Sequence, residues 1–511
     1  MRGWYIVANL PPPVPRKVIV VIVLILPQGN GFLELPARVS ESIPTEHGYK
    51  SIFYLFLRLE IDYKAHELTC LPNFIIWGGV QWKWMSIAIR NAWIVTQNKN
   101  RDVFQGDILI EKDIIRALGK VRSGADIEIE ANGDVVIPGL INTHTHVAMA
   151  LMKGIADDLP FSDFLSRVFS YDSRRTPKDI KSGAMLGCLE MIRSGTTTFV
   201  DLYYSEDIIA DAVQSSGLRG VLCWAVLDPE HTTQTGLPLD NCRRFCESFK
   251  NTGRIVPAVG LQGVYVCSTK TFVDARDYAH ENDLLLHFHL SETRKEVNDL
   301  KKREGSRPVE YLNGIGFLGS ECLAAHAAWL TLNEVRILGR CGTSISTCPV
   351  SNMKLATGGV APIPEMLNAG VNVSIGTDGS TTNNSLDMFG EMKTLGLLQK
   401  SNRWDPSVLR AQQLLDFATI GGAMAIGLES SIGSIEVGKK ADIAIMDGRA
   451  PNLNPLVRDN LVSNIVYSSS SQNVKTVICD GRLTMRDWIV MTLEEDSVLS
   501  SAVESARELM G

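Results

Sequence analysis

The 511-residue chain lacks an excess of positive charge: 50 Lys and Arg stand against 57 Asp and Glu, for a formal net charge of −7. With no cationic footprint to meet phosphates or anionic headgroups, neither nucleic acid nor a membrane surface is an expected partner. No C-x-x-C pair occurs among the ten cysteines. Cys242 and Cys246 sit four apart in a helix-like segment, where packing or thiol reactivity is a simpler reading than a metal site. A chain of this length does not need a disulfide framework, so a reducing, cytoplasmic setting is expected. The apolar run Val18–Leu26 is nine residues long and stops at Pro27, short of the ~20 residues that span a bilayer. No G-x-G-x-x-G follows the first strand of the central region, which counts against a dinucleotide fold.

What is present is an ordinary globular composition, 45% apolar and 21% charged, in a chain long enough for a barrel and a smaller domain. Residues 1–84 differ from the rest. A proline cluster (Pro11, Pro12, Pro13, Pro15), Arg16-Lys17 and the short apolar run are followed by an aromatic and aliphatic stretch without clear period. This segment is expected to be a poorly ordered extension, from an upstream start, without a part in catalysis; the rival is an anchor or interaction segment. Residues 85–136 carry short β-type runs separated by polar turns, and similar runs return over 437–490, where Asp480-Gly481 is a strong hairpin dipeptide. The two pieces predict one small β-sandwich built from both ends of the chain, with a helix over 491–511.

Between them, 137–436 alternates β-type runs with helical patterns. The runs are Val135–His146, Thr196–Tyr203, Arg219–Asp228, Arg254–Gly263, Leu284–Glu292, Cys322–Leu330, Thr343–Asn352 and Val371–Gly379. Eight strand–helix units predict an α/β fold with a closed (β/α)8 barrel, whose chemistry gathers at the C-terminal ends of the strands. The polar residues collect there. The first run delivers His144 and His146 to one face, since alternate side chains of a strand point the same way. The fifth ends in HFHLSE, with His289 and Glu292; the sixth carries His326 in AAHAA; the eighth ends at Asp378 in IGTDG. His287 shares a face with His289 and reads as a core-layer residue. Three imidazoles and a carboxylate suit a divalent cation with room for a water, whose pKa can fall to ~7. Asp378 would ligate the cation and take the water's proton, Glu292 would carry protons to substrate, and His326 would hydrogen-bond the attacking water or the tetrahedral oxygen. The predicted chemistry is metal-assisted hydrolysis.

These motifs carry a resemblance. PGLINTHTH, HFHLSE, AAHAA, SIGTDGSTTNNSLDMFGEM and GSIEVGKKADIAIMD, in this order over residues 85–490, resemble the amidohydrolase superfamily across roughly four-fifths of the chain. HVAMALMKGIADDLPF and CPVSNMKLATGGVAPIPEML resemble, within it, the branch of S-adenosylhomocysteine, methylthioadenosine and 5′-deoxyadenosine deaminases and their triazine chlorohydrolase relatives. The resemblance implies one zinc or iron held by His144, His146, His289 and Asp378, with Glu292 and His326 in catalysis. Binuclear members use a bridging lysine at the end of strand four, where this chain has LQGVYVCS; a mononuclear site is implied.

For an adenosine-like substrate the resemblance implies attack at C6 of the purine, with Glu292 protonating the ring nitrogen and then assisting loss of ammonia. A carboxylate after strand one holds the ribose hydroxyls in this branch, and Asp172 in FSYDSRRT lies near that place, where a turn or helix-cap role is the alternative. Two positions depart from the branch. Gln262 stands where a substrate-contacting histidine is usual, and Trp224 lies in the LCWAVLD context, where some relatives have an arginine for a charged amino-acid tail. Gln262 still donates and accepts hydrogen bonds but cannot titrate; with Trp224 in place of a cation, weight moves toward less charged 5′-substituted adenosines. The expected activity is hydrolytic deamination of 5′-deoxyadenosine, 5′-methylthioadenosine, S-adenosylhomocysteine or adenosine. The alternative is deamination or dechlorination of another N-heterocycle (guanine, a pterin, a triazine). A scaffold that has lost catalysis would lack ligands, and none is missing. A homo-oligomer, dimer or tetramer, is a general expectation for such enzymes.

Overall fold

Eight parallel strands follow one another in sequence order: Leu140–Thr145, Thr196–Tyr203, Arg219–Val226, Ile255–Leu261, Leu286–Leu290, Cys322–His326, Ser344–Thr347 and Val373–Ile375. A parallel bridge from Thr145 to Asp378 brings the last strand back to the first, so the barrel is nearly closed. This is a computed structural model, and it describes residues 85–511; the expectations for residues 1–84 lie outside the described residues. The barrel strands are buried on both faces, as a parallel sheet covered by helices requires. Helices lie between most of them, and their boundaries follow local chemistry. Pro177–Arg193, for instance, starts with Thr176 and Asp179 in a capping box and with proline at its first position.

A second, mostly antiparallel sheet stands apart from the barrel. Its order runs Ile489–Val490, Arg482–Arg486, Val474–Cys479, Ile443–Met446, Val135–Pro138, Ile87–Val95, Val103–Glu111, Ile114–Gly119, with Ile127–Glu130 alongside Ile87–Val95. Early and late parts of the described chain meet where Val135–Pro138 pairs with Ile443–Met446. An isoleucine-rich core that includes Ile89, Ile94, Ile108, Ile110 and Ile445 fills this unit. A helix, Glu495–Met510, packs against Pro177–Arg193.

Three local differences from the sequence expectation have plain causes. Val135–His146 is two strands, one in each sheet, broken at Pro138-Gly139. A Cβ on Gly139 would lie 2.2 Å from Thr197 Oγ1, so the crossing between sheets admits only glycine. The seventh run ends at Thr347, because Pro349 opens a short helix, Pro349–Lys354, in place of further strand. The eighth is only Val373–Ile375. Beyond it the backbone turns through a left-handed residue at Asp378 (φ 63°), as it does at Ser291 (φ 49°) and His326 (φ 71°) after or at the ends of strands five and six. These turns bring polar side chains to the rim.

Arg219 ties the two sheets together. Its guanidinium is buried and donates to Asp442, Asp480 and, at 2.9 Å, Thr198 Oγ1. Asp442 lies just before the small-sheet strand Ile443–Met446, whereas Arg219 opens the third barrel strand. Removing Arg219 strands the buried Asp442 carboxylate, while Asp480 keeps Arg254 at 3.2 Å. Arg219→Leu is expected to lower unfolding stability by about 3–5 kcal/mol, read from the denaturant midpoint, far more than loss of an exposed pair would.

Candidate metal centre and active site

Three imidazoles have their tautomers set by backbone carbonyls. His146 Nδ1 lies 2.6 Å from Leu202 O and His289 Nδ1 lies 2.8 Å from Gln262 O. A carbonyl only accepts, so each Nδ1 carries a proton, and in the neutral ring Nε2 is left with the lone pair. His144 reaches the same state through a relay. His287 Nδ1 donates to Leu323 O at 2.8 Å, so His287 Nε2 accepts, at 2.8 Å, from His144 Nδ1. The Nε2 of His144 is then unprotonated, fully buried, and without a hydrogen-bond partner. Orienting partners of this kind are the usual companions of metal-binding histidines.

The three Nε2 atoms lie close together, two of them beside Asp378. His146 Nε2 and His289 Nε2 are 3.3 Å apart, and Asp378 Oδ1 is 3.5 Å from His144 Nε2 and 3.2 Å from His146 Nε2. Four acceptor atoms facing one another in a buried space repel unless a cation or proton lies between them. The donor set fits a divalent transition ion, which takes imidazole nitrogen and carboxylate oxygen in this number. Two overlapping triads close enough to share an ion, His144–His146–Asp378 and His144–His289–His326, have His144 in common. Charge states agree. Burial pushes the His144 pKa down to about 4 and that of His289 well below its ordinary value, which favours neutral imidazoles. Burial opposes a proton on His146 too, but the bond to Asp378 and its charge hold that pKa up at about 8, a proton that a cation would displace. Burial alone would raise the Asp378 carboxyl; the imidazoles of His144 and His146 instead keep it well below the usual carboxylate range.

Asp378 is held from the outside. Gly379 N donates to its Oδ1 at 2.7 Å, and Ser351 Oγ and Thr382 Oγ1 donate to Oδ2 at 2.6 and 3.0 Å. His326 Nδ1 donates to Asn352 Oδ1 at 3.0 Å, which turns Nε2 toward the Glu292 carboxylate 3.9 Å away. That gap is too long for a hydrogen bond, so both polar atoms face the cavity without bonding each other. Burial raises the Glu292 pKa, and the charge of Asp378 adds to the effect, so this carboxyl retains its proton more readily than a free glutamate. Glu296 accepts from the backbone N–H of Ser291 and Glu292 at 2.9 and 2.8 Å, which fixes the turn that presents Glu292.

Above this floor opens a cavity of about 520 Å³. Of the residues singled out in the sequence, His146, His289, Glu292, His326, Asp378 and Gln262 line it, while His144 lies beneath, fully buried. Gln262 Nε2 donates to Tyr265 Oη at 3.3 Å. Asp172 and Trp224 do not line the cavity. The Asp172 carboxylate is taken up by Arg175, Tyr203 Oη and Tyr204 Oη, so contact with a sugar would require its release. Trp224 Nε1 donates to Gln234 Oε1 at 2.8 Å and its ring packs on Phe245. Reading the sequence by itself did not find Asn352, Ser351, Thr382 or the relay role of His287. The position of His287 two residues before His289, on the same face, was the available signal.

A further pair of carboxylates lies behind strand two. Asp201 Oδ1 accepts from Thr145 Oγ1 at 2.5 Å and Val147 N at 2.6 Å, clamping the backbone on both sides of His146. Glu206 Oε1 accepts from Tyr203 N at 2.9 Å, and its Oε2 has no partner. Burial, then the charges of Asp201 and Asp207, raises the Glu206 carboxyl well above 4.5; burial lifts Asp201 to about 6.

Residues 135–484 match the family described as the Amidohydrolase family. The 5′-deoxyadenosine deaminase of Methanosarcina barkeri is 40% identical over 429 residues, 83% of this chain and 98% of that protein. The 5-methylthioadenosine/S-adenosylhomocysteine deaminase of Thermococcus onnurineus is 41% identical over 408 residues, 79% of this chain and 95% of its own length. Among solved structures, an adenosine deaminase from Xanthomonas campestris with bound zinc superposes with a TM-score of 0.80 at 28% identity, covering 83% of this chain and 98% of that one.

Two outcomes follow from this geometry. His287→Leu removes the acceptor for His144 Nδ1 and is expected to weaken retention of a divalent cation by about 10–100-fold, measured by metal content after titrated chelation. His287→Gln, whose Oε1 can accept the same proton, should retain more. For Glu206, a carboxyl raised on folding contributes stability that is fully present below 4.5 and is lost as pH rises above it. Thermal melts at pH 5 and pH 8 should therefore show a smaller loss for Glu206→Gln than for the unmodified chain.

Proposed function

The chain belongs to the amidohydrolase family, and from that premise we propose that it is a metal-dependent hydrolytic deaminase of adenosine-like nucleosides, taking 5′-substituted adenosines to the inosine analogue and ammonia. The observation that carries this reading is the clustering of three imidazole Nε2 atoms, two of them within 3.5 Å of one carboxylate oxygen, near a half-buried glutamate whose pKa is raised by burial. Its support on the substrate side is that relatives about 40% identical over nearly their full length are deaminases of 5′-deoxyadenosine or of 5-methylthioadenosine and S-adenosylhomocysteine.

In this reading His144, His146, His289 and Asp378 hold a single divalent cation. Zinc is preferred over iron, on the nitrogen-rich donor set and the zinc in a solved relative. Bound there, the ion supplies the Lewis acidity that makes water a nucleophile near neutral pH. The residues of the chain do the remaining work. Asp378 accepts the proton that water gives up as it adds to the carbon bearing the amino group. Glu292 delivers its proton to the adjacent ring nitrogen; its carboxylate then takes the hydroxyl proton of the adduct as the carbonyl forms, while the proton held by Asp378 passes to the departing amine, which leaves as ammonia. His326, with Nδ1 committed to Asn352, keeps Nε2 facing the reacting carbon and steadies the oxygen that arrives there. Gln262 offers an amide to the purine edge or sugar from the cavity wall. A small nucleoside is the partner. A cytoplasmic setting accords with nine described cysteines, none in a disulfide; among the described residues no helix is long and apolar enough to cross a membrane.

Ammonia release from a panel of purine nucleosides tests the reading. 5′-Deoxyadenosine and 5′-methylthioadenosine should be deaminated, chelation should abolish turnover, and added zinc should restore it. Glu292→Gln should lower kcat by about 10²–10⁴-fold with zinc content unchanged. No ammonia from any adenosine derivative, with one metal bound per chain, would reject the proposal.

A further inference from the structure

The two hydroxyls that hold Asp378 from outside sit on segments tied together by one ammonium. Ser351 lies on the helix Pro349–Lys354 and Thr382 in the turn after Asp378, and each donates to Asp378 Oδ2, at 2.6 and 3.0 Å. Lys354, the last residue of that helix, reaches across to the turn. Its Nζ donates to Asn384 Oδ1 at 2.5 Å and to Thr381 O at 3.3 Å. A third segment joins through Asp157, between the first barrel strand and helix Phe161–Asp172, whose Oδ1 lies 2.5 Å from Nζ. Asn384 Nδ2 closes the triangle by donating to Asp157 Oδ2 at 2.7 Å.

The arrangement suits lysine in particular. An ammonium has three N–H bonds and no acceptor, and here each bond has an acceptor of its own. The helix that carries Lys354 is six residues long, and isolated helices shorter than ~12–15 residues are marginal in water, so its placement comes from outside contacts. That placement matters twice, because the same helix carries Asn352, which accepts from His326 Nδ1 at 3.0 Å. The side chains of Lys354 and Asp157 are 26% and 31% exposed. Ion pairs with that much access to water contribute little to overall stability. What the triangle supplies is registry among three loops at the rim.

We infer that Lys354 is a positioning residue for the centre: by pinning the short helix to the turn after Asp378 and to the loop after the first strand, it keeps Ser351 and Thr382 on Asp378 and Asn352 on His326. This rests on the reading of Asp378 as a cation ligand and of His326 as the group that faces the reacting carbon. Lys354 touches neither of them. It acts through the side chains that do, and outer contacts of that kind orient a ligand and tune the ion it holds.

The test compares Lys354→Met with the unmodified full-length chain, each loaded with cobalt(II), whose visible absorption senses the geometry of its ligands. Lys354→Met should alter that spectrum, weaken cobalt retention against a chelator by about tenfold, and lower kcat for 5′-deoxyadenosine by about tenfold with a smaller change in KM. Its melting temperature should move by no more than a few degrees, as for other half-exposed pairs. Lys354→Arg, which keeps the charge but spreads its donors in a plane, should recover part of each loss. Lys178→Met, which breaks an exposed pair with Glu504 and Glu508, should change neither spectrum nor kcat. An unaltered spectrum and kcat in Lys354→Met, or losses equalled by Lys178→Met, would overturn the inference. A collapse of the melting temperature would overturn it too, since the triangle would then be supporting the fold and not the site. Ammonia release by the unmodified chain tests the deaminase reading separately: its absence would reject that reading, while the cobalt spectra would still decide the place of Lys354.

Discussion

The site depends on lone pairs aimed at one another. Nothing in the chemistry of histidine alone decides which ring nitrogen carries the proton; here the carbonyls of Leu202, Gln262 and, through His287, Leu323 decide it. Each of those carbonyls belongs to, or directly follows, the barrel strand beside the histidine it orients. The strand register that builds the barrel therefore also prepares the imidazoles, and no separate scaffold is required. Ser351, Thr382 and the Gly379 N–H do for the carboxylate what the carbonyls do for the rings. Assembly of the site and closure of the barrel are one event, since the Thr145–Asp378 bridge that closes it joins residues adjacent to and within the cluster.

Outside that centre the polar groups are arranged to hold segments still. Asp201 grips the chain on either side of His146, and Glu296 grips the turn carrying Glu292. Both are buried carboxyls pushed upward by that burial, Asp201 to about 6 and Glu296 to about 7. Their folded forms favour protonation, so the framework round the reacting groups has its own sensitivity to alkaline pH. The same economy appears at Arg219 and Arg254, whose guanidinium groups join the barrel to the small sheet through Asp442 and Asp480.

Much of this was legible in the residues. Alternation along a strand put His144 and His146 on one side, and the succession of β-type runs put His289, Glu292, His326 and Asp378 at strand ends. The fold class followed from counting eight runs. What was not legible depends on direction and partnership rather than on period. His287 has the same period as a ligand and the environment of a core residue; only its distance to His144 shows that it is a relay. Asn352 was hidden because Pro349 converts the end of an apparent strand into a helix, and on that helix its amide meets His326. Asp172 and Trp224 lie near the rim in sequence terms, yet Arg175, two tyrosines and Gln234 claim their polar atoms. Competition among near neighbours of this sort leaves no trace in spacing.

The pairing of Val135–Pro138 with Ile443–Met446 bears on synthesis at the ribosome. The earlier of these strands emerges about 305 residues before its neighbour, a delay of roughly 15–60 s at common elongation rates. Throughout that interval one edge of the nascent sheet offers open N–H and C=O groups to any extended peptide nearby. The barrel strand that follows directly at Leu140 is meanwhile tethered to an unfinished foundation. A chaperone that shelters this edge would act on the stage at which the polypeptide is most exposed to mispairing, and slow codons between residues 140 and 440 would lengthen it.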